Sequence, residues 1–121
     1  MTDKLFSGRH ILVVEDEMMI ALLIEDTLCD LGASVAAAAT IKSALGLING
    51  QTFDVATLDL NLGGAASYPV ADALVAKGVP FLFATGYGEH GLRDDYRGHP
   101  LLNKPFRPQH MVDAVTRLLR L

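Results

Sequence analysis

A short apolar run that leads directly into acidic residues lies near the start of the chain, where residues 10–17 read HILVVEDE. Four consecutive apolar residues after His10 are typical of a strand that is covered on both faces, as strands of parallel sheets are. Glu15, Asp16 and Glu17 follow without a spacer. The stretch therefore predicts a buried parallel strand with carboxylates at its carboxyl end.

The rest of the chain alternates short apolar runs with amphipathic segments of helical spacing, which is typical of βαβ units around a parallel sheet. Further strands are predicted at residues 34–39, 53–58, 79–84 and 101–103. Helices are predicted at residues 18–31, 41–48, 69–76 and 108–119. Because residues 86–97 contain three glycines, any helix there is expected to be short or weak.

The composition suits one globular domain, since half of the 121 residues are apolar and the length allows one core. The formal net charge is −4 and the basic residues are scattered, so neither nucleic acid nor a membrane surface is an expected partner. The longest apolar run, at residues 18–24, is too short to cross a bilayer, and a signal peptide is not recognisable. We expect a single cytoplasmic domain over residues 1–121.

Polar residues follow four of the predicted strands: Glu15 with Asp16, then Asp59, Thr85 and Lys104. Because the carboxyl ends of parallel strands face a common crevice, we expect these side chains to converge. Neighbouring carboxylates repel one another unless a cation lies between them. Hard oxygen ligands without cysteine or clustered histidine favour Mg²⁺ over Zn²⁺. The sequence therefore predicts a magnesium site.

The charges of this site suit a phosphoryl group in transit. The three carboxylates would be balanced by the metal together with Lys104. A metal and a lysine can stabilise charge on phosphoryl oxygens, while the Thr85 hydroxyl can supply a hydrogen bond. One of the carboxylates can act as the nucleophile and form an acyl phosphate.

Four short motifs, in order and at strand ends, carry a resemblance to a known family. They are VVEDE at residues 13–17, LDLN at 58–61, FATG at 83–86 and KPF at 104–106. Together they resemble the receiver domain of bacterial two-component response regulators, over nearly the whole chain. The resemblance implies an α/β, flavodoxin-like (CheY-like) fold, with five parallel strands in the order 2-1-3-4-5 and helices on both faces.

The resemblance also implies roles for individual residues. Asp59 would accept the phosphoryl group from a histidine kinase or a histidine phosphotransfer protein, and Asp16 and Asp59 would ligate Mg²⁺ directly. The resemblance further implies that Asn61 binds the metal through its backbone carbonyl and Glu15 through a metal-bound water. Thr85 and Lys104 would contact the phosphoryl oxygens, and the peptide bond between Lys104 and Pro105 is expected to be cis. The domain would signal through another protein and is not expected to be an enzyme.

The chain departs from the usual family pattern in its switch residues. Receivers commonly carry an aromatic residue three positions before the lysine, where this chain has Leu101, and Gly63-Gly64 replaces a common Pro-Gly. Residues 80–88, PFLFATGYG, look like the FAT GUY subgroup, which lacks that aromatic residue and includes stand-alone, stress-signalling and kinase-attached receivers. Tyr87 is therefore a switch candidate, with a fixed aromatic cover over the site as the alternative.

The first predicted helix, residues 18–31, carries apolar residues around nearly two turns, more than a helix lying on a sheet can bury. We hypothesise that Met18, Met19 and Leu22 form a docking patch for the helix of the phosphodonor, because methionine adapts to a partner surface. The alternatives are that the tilt of the helix buries these side chains, or that they are exposed without a partner.

Other interpretations of the polar residues remain. The acidic run after the first strand can be a helix cap, and Asp59 can be a turn residue. A pseudo-receiver would keep the fold as a protein-binding module without phosphorylation. A small Mg²⁺-dependent aspartyl-phosphate phosphatase is a further class, although such enzymes usually have an acid two residues after the nucleophile, where this chain has Asn61.

Overall fold

The computed structural model describes residues 4–86 and 92–121. The strands in chain order are β1 His10–Val14, β2 Ser34–Ala38, β3 Val55–Asp59, β4 Asn61–Leu62, β5 Ala65–Ala66, β6 Phe81–Thr85 and β7 Leu101–Asn103. The helices are α1 Met18–Asp30, α2 Ile41–Gly50, α3 Tyr68–Ala76 and α4 Pro108–Leu119, with a 3-10 helix at Asp94–Tyr96.

A five-stranded parallel sheet forms the centre of the fold, in the order β2-β1-β3-β6-β7. Counted over the strands of this sheet alone, the order is the expected 2-1-3-4-5, so the predicted flavodoxin-like fold is confirmed. Every residue of β3 is buried, as expected for a strand covered on both faces. The central position of β3 places its last residue, Asp59, in the middle of one sheet edge.

Helices cover both faces of the sheet, and alternate strand residues point into two apolar clusters. One cluster joins Leu12 and Val14 of β1 to buried residues of α2 and α3. The other joins Ile11 and Val13 to buried residues of α1 and α4. In α1 the buried residues are Ile24 and Leu28 alone, so much of its apolar surface lies outside the core.

The structure corrects several predicted boundaries. Strand β6 begins at Phe81 instead of residue 79, because Pro80 has no N–H and the N–H of Val79 donates to Leu74 at the end of α3. Helix α1 ends at Asp30, one residue early, and Gly32 follows with a φ of 94°. In residues 92–97 the only helical segment is the short 3-10 helix, which agrees with the expectation for this glycine-rich region.

An antiparallel hairpin, β4–β5, follows β3 where the sequence predicted only a turn. Its two-residue turn is Gly63-Gly64, with φ values of 59° and 88°. Positive φ at both central residues is the requirement of a type I′ turn, which glycine meets without strain. The hairpin lies immediately beside Asp59. Within the described residues, no helix is both long and apolar enough to cross a membrane.

Candidate functional site

The carboxyl ends of four parallel strands bring the predicted polar residues to one edge of the sheet. Glu15 and Asp16 follow β1, Asp59 ends β3, Thr85 ends β6 and Lys104 follows β7. An open cavity of about 360 Å³ lies at this edge. It is lined by Asp16, Glu17, Asp59, Asn61, Gly64, Thr85, Gly86 and Lys104. Residues up to 89 positions apart in the chain thus meet in one site.

Three carboxylates form the acidic side of the site. One oxygen each from Glu15, Asp16 and Asp59 lies within 4.8 Å of the others. Glu15 and Asp59 are buried, with 3% and 7% of their surface exposed, whereas Asp16 is exposed. Ionised carboxylates at such distances repel one another, most strongly between Glu15 and Asp59, which are shielded from water. A cation bound between these carboxylates would offset their repulsion.

Lys104 supplies one positive charge and contacts two of the carboxylates. Its Nζ lies 2.6 Å from Glu15 Oε1 and 3.3 Å from Asp59 Oδ2. Its backbone N–H donates to the carbonyl of Thr85 at 2.8 Å, and its peptide bond to Pro105 is cis, as expected. The shorter distance to Glu15 shows that the ammonium group is engaged mainly by this carboxylate.

Burial and these contacts shift the pKa values of Asp59, Lys104 and Asp16. Burial raises the pKa of Asp59 to about 7, with the neighbouring Glu15 carboxylate as the next cause. Lys104 lowers the pKa of Asp59 without cancelling that effect. For Lys104, burial opposes the charged form, but Glu15 and Asp59 together raise the pKa of the ammonium group. Asp16 differs, because a hydrogen bond from the backbone of Gly63 lowers the pKa of its carboxyl.

The segment after β3 forms hydrogen bonds to Asp59 and to Asp16. The N–H of Asn61 donates to Asp59 Oδ1 at 3.3 Å, and the buried Ser67 hydroxyl donates to the Asp59 backbone carbonyl at 2.6 Å. The N–H of Gly63 donates to Asp16 Oδ2 at 2.9 Å. Sequence reasoning missed the last two contacts. A glycine pair between short apolar stretches is a hairpin signal that could have indicated Gly63.

The switch and docking candidates have different outcomes. Tyr87 lies outside the described residues. Met18, Met19 and Leu22 are 75%, 77% and 45% exposed, so the alternative that helix tilt buries them is wrong. An apolar groove beside them is lined by Glu17, Ile20, Leu23, Lys104, Pro105 and Phe106. Since Glu17 and Lys104 line this groove and the acidic cavity alike, the two are adjacent.

The donor atoms of the site match a hard divalent cation. The carboxylates of Glu15, Asp16 and Asp59 offer oxygen atoms, which Mg²⁺ prefers, and Asp16 and Asp59 line an open cavity. Mg²⁺ binding by a few carboxylates, with the remaining positions left to waters or phosphate oxygens, is usual in proteins. The residues present therefore fit a magnesium ion.

Comparison with known proteins agrees with the fold. The family model of the response regulator receiver domain matches residues 11–116. The solution structure of SdrG from Sphingomonas melonis Fr1 is 37% identical, with a TM-score of 0.76 and coverage of 98% of this chain and 99% of that one. The receiver domain of the Erythrobacter litoralis PhyR response regulator is 29% identical, with a TM-score of 0.83 and coverage of 95% and 92%.

Similarity of fold extends to more distant proteins. The Vibrio cholerae chemotaxis protein CheY4 is 24% identical, with a TM-score of 0.82 and coverage of 92% of this chain and 98% of that one. At this identity the match supports the fold alone. The family match and the SdrG match each span nearly all of the sheet and its helices. The chain belongs to the response regulator receiver domain family.

Proposed function

We propose that this receiver accepts a phosphoryl group on Asp59 from a phosphohistidine in a histidine kinase or histidine phosphotransfer protein. The observation that carries the proposal is the position of the Asp59 carboxylate. It ends the central strand, lines an open cavity, and lies 3.3 Å from Lys104 and beside two further carboxylates. Membership of the receiver family implies a partner of this kind.

In the proposed reaction, an Asp59 carboxylate oxygen attacks the phosphorus atom of the phosphohistidine. A P–O bond forms and the P–N bond breaks, and its electron pair stays on the imidazole nitrogen, which takes up a proton from solvent. Lys104 supplies positive charge next to Asp59, and Thr85 lines the same cavity, where its hydroxyl would bond a phosphoryl oxygen. The product is an aspartyl phosphate.

Receiver domains bind Mg²⁺ at an acidic pocket, and this chain has an acidic cluster of Glu15, Asp16 and Asp59. We propose that Asp16, Asp59 and the Asn61 backbone carbonyl hold the ion, with Glu15 acting through water. The bound ion would supply positive charge that offsets both the carboxylates and the incoming phosphoryl oxygens. Glu15, through its 2.6 Å contact, keeps Lys104 at the rim of this site.

Phosphorylation of Asp59 is tested with acetyl phosphate and Mg²⁺, followed by intact-mass analysis. The expected result is a mass gain of about 80 Da, one phosphoryl group, that disappears in Asp59→Asn. Asp113→Asn, an exposed aspartate of α4, serves as the matched control and should keep the adduct. An unmodified wild-type protein would favour the pseudo-receiver, and rapid phosphate release from many monoesters would favour the phosphatase. Either result would contradict the proposal.

We propose that Met18, Met19 and Leu22 form a surface patch that binds the phosphodonor. The patch is exposed and lies at the start of α1, directly after Glu17, which lines the acidic cavity. A donor helix that covers the patch would therefore bring its histidine to the entrance of the site. A contiguous patch of exposed apolar side chains, unlike a single one, is typical of an interaction surface.

The patch is tested by the double substitution Met19→Ser and Leu22→Ser. We expect slower phosphoryl transfer from a purified phosphohistidine protein and unchanged labelling by acetyl phosphate, because acetyl phosphate needs no docking surface. Val75→Ser in α3 is the matched control, since Val75 is also an exposed apolar residue, at 58%. An unchanged transfer rate from the protein donor would show that the patch is not used.

The finer assignment rests on the sequence. We propose that the chain belongs to the FAT GUY subgroup, on the Phe-Ala-Thr-Gly sequence at residues 83–86 and on Leu101 in the position of the usual aromatic residue. We further propose that it works as a single receiver domain that signals through another protein and catalyses no reaction on a separate substrate. Tyr87 stays the switch candidate. Identical NMR spectra of Tyr87 and its neighbours in the sequence with and without beryllofluoride would reject that role.

A further inference from the structure

The β4–β5 hairpin follows β3 and reaches across to Asp16, which lies just after β1. The N–H of Gly63, at the tip of the hairpin, donates to Asp16 Oδ2 at 2.9 Å across 47 residues of sequence. Asp16 is exposed, so burial alone does not fix the orientation of its carboxylate. A backbone donor on a rigid turn can hold such a carboxylate in one orientation.

The hairpin is itself firmly attached to the site. Leu62 is buried in the core between the sheet and α2 and α3. Ser67 lies directly after β5. Its buried hydroxyl donates to the Asp59 carbonyl at 2.6 Å, and its backbone N–H donates to the Leu60 carbonyl. The tip of the hairpin therefore cannot shift far without disturbing the backbone of Asp59.

The turn geometry depends on residue types that accept positive φ. Gly63 and Gly64 have φ values of 59° and 88°, and a Cβ on either would meet no atom within 4 Å. Substitution at Gly63 therefore acts through backbone preference and the N–H donor, not through a clash. Asparagine accepts positive φ at the first central position of a type I′ turn, whereas proline excludes it and lacks the donor.

We infer that Gly63 is a positioning residue for Mg²⁺ binding: the hairpin holds the Asp16 carboxylate facing Asp59 and Glu15, which preorganises the acidic cluster. The inference rests on the proposed function, because it assumes that Asp16 is a metal ligand. Without the hydrogen bond, the exposed Asp16 side chain would sample other rotamers, and the ion would have to order it on binding. Mg²⁺ affinity would then fall while the fold is retained.

The test is a Mg²⁺ titration of the full chain, followed by amide NMR shifts, together with denaturant unfolding of each variant. Gly63→Pro, which removes the donor, is expected to weaken Mg²⁺ binding about tenfold. Gly63→Ala, a milder change, should weaken it less, and Gly63→Asn should leave it unchanged. Gly78→Pro is the matched control, because Gly78 has a φ of 70° and an N–H bonded to Val75 at the opposite edge of the sheet.

The outcomes separate this inference from the proposed function. If the wild-type protein shows no saturable Mg²⁺ binding, both fail. If the wild type binds Mg²⁺ but Gly63→Pro and Gly63→Ala bind it equally well, only the positioning role of Gly63 is overturned. The same holds if Gly78→Pro weakens binding as much as Gly63→Pro does, because the effect would then follow from lost stability alone.

Discussion

Thr57 is a buried polar residue in the middle of β3. It is 2% exposed, and its Oγ1 has no hydrogen-bond partner among the described residues. A buried hydroxyl without a partner costs stability, because it loses water and gains nothing in return. Thr57→Val keeps the shape of the side chain and removes this cost. We expect it to raise the free energy of unfolding by about 1 kcal/mol in chemical denaturation.

The matched variant at this position is Thr57→Ser, which retains the hydroxyl and loses the methyl group. It should lower the free energy of unfolding by about 1 kcal/mol, because a buried methyl group is removed. A Thr57→Val protein that is no more stable than the wild type would mean that the hydroxyl is satisfied in solution.

At the scale of elements, the side chain of Arg93 connects the segment around the 3-10 helix to α3. Its guanidinium lies 2.9 Å from Asp72 of α3 and 2.7 Å from Asp95, and 4.7 Å above the ring centroid of Tyr68. The Tyr96 hydroxyl also donates to Asp72 at 2.7 Å. Isolated surface ion pairs contribute little, but this guanidinium combines ion pairs with aromatic stacking.

We expect Arg93→Gln to lower Tm by about 3 °C, because the stacking and both ion pairs are lost together. Arg93→Lys should restore only part of this loss, since an ammonium group lacks the planar fork that stacks and pairs. Arg97→Gln is the control, because the Arg97 pair with Asp94 is highly exposed at both ends. Equal Tm values for Arg93→Gln and Arg97→Gln would contradict the role of Arg93.

The elements differ in how well the sequence predicts them. The main strands and helices follow from apolar runs and helical spacing, and α4 matches its predicted bounds because its apolar stripe is regular. The hairpin β4–β5 was not predicted, since strands of two residues leave too short a pattern for periodicity. The Arg93 contacts could not be predicted either, because they join segments whose spacing in the chain says nothing about their distance in space.

At the scale of the whole molecule, the sequence predicts which residues meet but not how they share charge. Strand-end positions suffice to bring Glu15, Asp16, Asp59 and Lys104 to one edge of a parallel sheet. The preference of Lys104 for Glu15, at 2.6 Å against 3.3 Å for Asp59, depends on side-chain geometry that no spacing encodes. Burial first, and the Glu15 carboxylate second, leave Asp59 in a site that disfavours its ionised form.

This electrostatic cost predicts that Asp59→Asn stabilises the metal-free protein while it abolishes phosphorylation. The folded-state pKa of Asp59 is raised from 3.8 to about 7, so the folded state binds more protons than the unfolded state between these values. Stability of the wild type therefore falls as pH rises through this window, and the full cost is present above about pH 7. In EDTA at about pH 8 we expect the variant to be more stable by on the order of 2 kcal/mol.

The pH and the metal provide the two controls on that expectation. The advantage of Asp59→Asn should shrink as the pH is lowered to about 5, because the wild-type carboxyl then becomes neutral in the folded state. Saturating Mg²⁺ should narrow the gap at about pH 8, since binding to the folded wild type relieves the repulsion and stabilises it by mass action. Denaturant unfolding at each pH, with EDTA or Mg²⁺, measures both effects. Two results would mean that Asp59 ionises at little cost in the folded protein. One is an Asp59→Asn variant that is no more stable than the wild type in EDTA, and the other is a difference in unfolding free energy that changes with neither pH nor Mg²⁺.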